Sequence, residues 1–73
     1  MSAYDRAVSC VVAGLAARRQ VRRHPGVTHY AATRDDLAGQ FARLTDGMGK
    51  RELREVIAAG RERAARWGVI GAA

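Results

Sequence analysis

Cysteine, lysine and long apolar runs are what this chain has least of. Cys10 is the only cysteine, which excludes an internal disulfide and a cysteine-rich zinc site. The apolar run over 7–17 is eleven residues long and is interrupted by Ser9, whereas a membrane span needs about 20. A secretory leader would place positive charge before that run, and Asp5 cancels Arg6 there. The chain therefore reads as a soluble, cytoplasmic protein. At 73 residues it is one small domain, and a single core of that size rarely supplies more than roughly 3–5 kcal/mol of net stability. Without disulfides, good helix packing and self-association are the remaining ways to stabilise it.

Acid is also scarce. Thirteen basic residues oppose seven acidic ones, for a net charge of +6, and Lys50 is the only base that is not arginine. Residues 1–23 carry five Arg and one Asp, 24–49 two Arg and three Asp, and 50–73 six bases and three acids. The excess thus belongs to the two outer segments, and it suits an anionic partner. A GC-rich genome also favours Arg, Ala, Gly and Val through its codons, which points to an actinobacterial or phage source.

What is present reads as three helices. Ser2 caps the first, with Asp5 placed to accept from the cap's own N–H. Tyr4, Val8, Val11, Val12 and Leu15 fall within an arc of about 80° and form a core stripe. Ser9, Cys10, Ala13, Gly14, Ala16 and Ala17 make a second side of small residues. That side fits close packing inside the chain or across a homodimer, and Cys10, Ala13, Gly14 and Ala17 are the candidate self-association residues. Arg18, Arg19, Arg22 and Arg23 close the helix, and Pro25-Gly26 stops it. One or two of these arginines would satisfy the helix dipole; four in six residues repel one another and ask for an outside anion.

A connector follows over 24–32, with an extended piece at 27–30 favoured by Val, Thr and Tyr. Thr33 is the expected cap of the second helix, with Asp35 and Asp36 in its first turn. Leu37, Phe41 and Leu44 share one face. Gly49 caps the third helix, on which Leu53, Val56, Ile57, Gly60, Ala64 and Trp67 lie within about 100°. Gly60 on that face implies close approach of helix 1. Gly68 stops the helix, Val69 and Ile70 fold back as a seal, and residues 71–73 fray. The expected fold is all-α: a small three-helix domain, helices over 3–22, 34–45 and 50–67, with the long N-terminal helix packed against a helical hairpin.

Three constellations could carry function. On helix 3, Lys50, Arg54 and Arg61 lie within about 40° of one another. If helices 1 and 3 pack antiparallel, Lys50, Arg51 and Arg54 join Arg18, Arg19, Arg22 and Arg23 in one patch. Such a patch would bind DNA or RNA through phosphates. Helices 2 and 3 with their glycine-containing turn form a weak helix-turn-helix pattern, more simply an αα-hairpin. Cys10, His24 and His29 lack a recognised ligand spacing, and no nucleophile–base pair or phosphate loop is present. No cofactor, metal or enzymatic activity is expected. The leading expectation is a regulatory or accessory nucleic-acid-binding protein, acting as a dimer. The alternative is a protein-interaction module, such as a phage-type inhibitor or assembly adaptor, docking on an acidic protein. Its surface would be the small face of helix 1 with Trp67, Val69 and Ile70. A membrane-surface role is disfavoured, because the arginines of helix 1 lie along its apolar stripe rather than opposite it.

Overall fold

A computed structural model describes residues 1–70; the expected fraying of 71–73 lies outside them. The described residues form three α-helices, α1 (Ala3–Arg23), α2 (Thr28–Thr45) and α3 (Lys50–Arg66). Both α2 and α3 pack on α1 and scarcely on each other. This is the expected small all-α domain with helix 1 at its centre. None of the helices is long and apolar enough to cross a membrane.

Ser2 caps α1 as its sequence implies, accepting from the Asp5 N–H at 3.1 Å. The return bond runs from the Ser2 hydroxyl to Asp5 Oδ2 at 2.9 Å, not from the Ser2 backbone. The stripe of α1 meets α3, where Ala7, Val8 and Val56 form the buried centre with Tyr4, Val11, Phe41, Leu44, Met48 and Ala59 around them. Val8 and Val56 are the largest fully buried side chains, so the core is thin. On α3 the residues that close against α1 are small. Val56, Gly60 and Ala64 are buried, and a β-carbon on Gly60 would overlap Cβ and Cγ1 of Val11.

The two helices run parallel. Residues 7 and 8 lie with 56, 11 with 60, and Arg19 with Gly68 and Val69, so both chains advance in the same direction. The antiparallel pairing expected above is therefore corrected. Its cause is the topology: the chain reverses between α1 and α2 and again between α2 and α3, so α3 advances in the direction of α1. The bounds of α2 are corrected as well. The segment expected to be connector and extended chain is helical from Thr28. After the Pro25-Gly26 reversal the chain returns along α1, and Tyr30 borders one cleft with Ala16, Ala17 and Gln20. Tertiary contact thus overrides the β-leaning propensity of Val27–Tyr30. Thr33 is not a cap; its hydroxyl donates to the His29 carbonyl at 2.9 Å inside the helix. Asp35 and Asp36 consequently sit in mid-helix, and the actual N-cap, Val27, makes no side-chain bond. An 18-residue α2 spans about 27 Å, returning the chain to the start of α1 before α3 begins.

The small side of α1 is used in part within the chain. Cys10 and Ala17 are buried; Cys10 Sγ lies 4.0 Å from Gln40 Oε1. Ala13 and Ala17 share a cleft with Tyr30, Thr33 and Leu37 of α2. Cys10 and Ala17 thus take the internal alternative, while Ala13 is exposed and Gly14 half-buried.

α3 ends at Arg66, one residue earlier than expected, and Gly68 terminates it at φ 74°. Val69 N–H donates to Ala64 O at 2.8 Å and Gly68 N–H to Ala65 O at 3.1 Å, the paired bonds of a glycine stop. Val69 and Ile70 fold back half-buried, as the seal requires. Trp67 does not join the core: it is 65% exposed, with the Arg63 guanidinium 5.7 Å from its ring centroid.

Candidate partner-binding groove

Because α2 and α3 rest on α1 without closing on each other, a groove remains between them. Val11, Gly14 and Leu15 of α1 form its floor, Leu37, Ala38 and Phe41 of α2 one wall, and Ile57 of α3 the other. These are core-type residues left partly uncovered; Ile57 is 36% exposed. Toward the end of α1 the groove opens into a cleft of about 420 Å³ bordered by Leu15, Val21 and Ile70 and by Arg18, Arg22, Arg34 and Arg61. Leu15, Arg18, Arg34 and Arg61 border both parts, so the surface is continuous: an apolar trough with a cationic end.

Four arginines from three helices border that end, and no carboxylate lines either part. Arg34 alone has an acidic neighbour, Asp35 Oδ1 at 3.1 Å from its Nε, and both side chains are substantially exposed. Such a pair contributes little and leaves the remaining guanidinium N–H groups for a ligand. Like charges gathered over an apolar floor repel, and a bound anion relieves that repulsion.

Of the residues expected from the sequence, Arg18, Arg22 and Arg61 come together here. Arg19 does not: it donates to Gly68 O at 3.1 Å and Val69 O at 2.9 Å, tying the end of α3 to α1. Arg23 borders a separate cleft with Gln20, Tyr30 and Thr33. Lys50, Arg51 and Arg54 are exposed in the first turns of α3, at the end of the molecule away from Arg18 and Arg22. Eleven residues, or about 16 Å of helix, separate Lys50 from Arg61. Lys50 and Arg54 share the side of α3 that carries Ile57 and Arg61, so they extend the basic edge of the groove rather than completing a patch with the end of α1. Arg34 was missed, because its two aspartate neighbours gave the segment a negative balance. A signal existed: once the helix starts at Thr28, positions 34, 37, 38 and 41 fall on one face.

The other constellations separate. The turn between α2 and α3 is four residues, 46–49, and the little contact between those helices gives no packed helix-turn-helix pair. Cys10 lies beneath α2, whereas His24 and His29 are exposed at the α1–α2 turn. They flank Tyr30 with ring centroids 5.7 and 4.4 Å from it. Among the described residues no group of three or more His, Cys, Asp or Glu is placed to hold a metal ion. No protein family, curated protein or solved structure matches the chain.

Proposed function

We propose that this chain is a small, non-enzymatic interaction module that seats an acidic protein partner in the groove between α2 and α3. The observation that carries the reading is the convergence of Arg18, Arg22, Arg34 and Arg61 at the end of an aliphatic trough. A ligand matching both parts must present anions and apolar groups together. Acidic residues beside an apolar face do so; a phosphate backbone matches the cationic end alone. An inhibitor or assembly adaptor would use such a site.

Nucleic-acid binding is the second reading, favoured by the exposed Lys50, Arg51 and Arg54 at one end of the α3 edge and the arginine cleft at the other. Here Arg18, Arg22, Arg34 and Arg61 would hold phosphates, joined along the edge by Lys50 and Arg54. The two readings differ in salt dependence. Binding of an acidic amphipathic peptide and of single- and double-stranded oligonucleotides is measured between roughly 50 and 200 mM salt, where a protein holding several phosphates loses orders of magnitude in affinity. The proposal expects peptide binding to persist, because part of it is apolar burial, while oligonucleotide binding collapses. Oligonucleotide binding that is the tighter throughout would replace it with the second reading.

A further inference from the structure

Resting on that reading, we infer that the occupant of the groove is an amphipathic α-helix of about three turns, parallel to α1, whose C-terminal end carries the acidic residues. From Val11, at the apolar end, to Arg22, in the cleft, the floor advances eleven residues, or about 16 Å, which is three helical turns. Apart from the Cys10 thiol and the arginines Arg18, Arg34 and Arg61 at the cationic end, the lining is hydrocarbon: Val11, Leu15, Leu37, Ala38, Phe41 and Ile57. An extended segment or loop laid there would bury backbone N–H and C=O groups against hydrocarbon without partners, whereas a helix satisfies its own backbone. A helix in this position contacts all three others and covers the half-exposed flank of a thin core, as a fourth member does in a bundle.

Polarity follows from the arginines. The negative end of a helix dipole is its C-terminus. That end, with carboxylates in its last turns, faces Arg18, Arg22, Arg34 and Arg61, while the positive N-terminus points away toward Val11. A second copy of this chain is a poor occupant, since it would bring a net charge of +6 to a cationic site.

The test uses the full chain, isotope-labelled for amide NMR, and four helix-stabilised peptides of about three turns. One has an apolar stripe at i, i+3, i+4 and i+7 with glutamates at its C-terminal end. The second has them at its N-terminal end. The third keeps the composition of the first but scrambles the stripe, and the fourth replaces glutamate by lysine. The first is expected to bind tightest and to shift the amides of Val11, Gly14, Leu37, Phe41 and Ile57. Arg18→Ala with Arg22→Ala should weaken it at least about tenfold. Gly14→Leu, which builds into open space on the floor, should abolish binding while the far-UV circular dichroism is retained. If Gly14→Leu does not fold, the exposed arginine pair carries the test.

Equal binding of the scrambled peptide overturns the helix and leaves the acidic-partner reading standing. Tighter binding of the second peptide overturns the polarity. Failure of all three acidic peptides overturns both the inference and the reading beneath it. Displacement of the first peptide by an oligonucleotide whose shifts centre on the arginines assigns the cleft to phosphate and does the same.

Discussion

Replacing Gly60 by alanine adds one methyl group at the seam between α3 and α1. Helix propensity alone favours the change by roughly 0.5–1 kcal/mol. The added β-carbon, however, falls on Cβ and Cγ1 of Val11. Both β-carbons are fixed to their backbones, so rotating a side chain cannot relieve the overlap, and the helices must separate. Overpacking of this kind costs typically 1–3 kcal/mol. The upper part of that range applies, because Val8 and Val56, the largest fully buried side chains, lie within about a turn of the overlap and lose contact as the seam opens. The net expectation is a loss of about 1–2 kcal/mol, against a total of roughly 3–5 for a domain of this size. Each kilocalorie lowers Tm by about 4–8 °C.

Gly14→Ala is the control, since Gly14 is also in mid-helix but has nothing within 4 Å of the position a β-carbon would take. It should stabilise by about 0.5–1 kcal/mol. Urea titrations followed by far-UV circular dichroism measure both variants. A Gly60→Ala protein as stable as its parent, or two substitutions with effects of the same sign, would refute the close parallel packing of α1 and α3.

Two further substitutions probe the end of α3. Arg19→Ala removes the bonds to Gly68 O and Val69 O and should cost about 1–2 kcal/mol. The loss is seen as faster amide exchange at Val69 and Ile70, and unchanged exchange there would show that the tie contributes nothing. Gly68→Ala forces a side chain into φ 74°, costing roughly 1–2 kcal/mol with loss concentrated in the last turn of α3. An unchanged melt would mean the glycine stop is dispensable.

The apolar face of helix 3 was legible in part: Val56, Gly60 and Ala64 meet α1 as their spacing requires, whereas Ile57 and Trp67 at its edges stay exposed. The stripe on helix 1, the glycine stop at Gly68 and the three-helix architecture were equally local matters, set by period and by special backbone positions. The relative direction of α1 and α3 was not local. It follows from the two chain reversals, at 24–27 and 46–49, which an antiparallel pairing of the first and third helices leaves out of account. That pairing moved Lys50, Arg51 and Arg54 to the wrong end of the basic surface; separately, the β-leaning propensity of 27–30 shortened the expected α2, which starts at Thr28. Arg19 shows a second limit. Within its cluster it looks like its neighbours, and only the returning tail, 49 and 50 residues later, gives it structural work.

The placement of α1 between two helices that hardly touch also orders the assembly of the molecule in time. α1 and α2 are joined by a short reversal at 24–27, so their contacts can form outward from the turn with little loop entropy to overcome. α3 meets α1 across most of the chain, so its docking is expected to be the later step. α3 also carries Val56, a third of the buried centre, so its departure would leave α1 and α2 joined only by their own contacts, and native-state hydrogen exchange is expected to show α3 amides exchanging before those of α1.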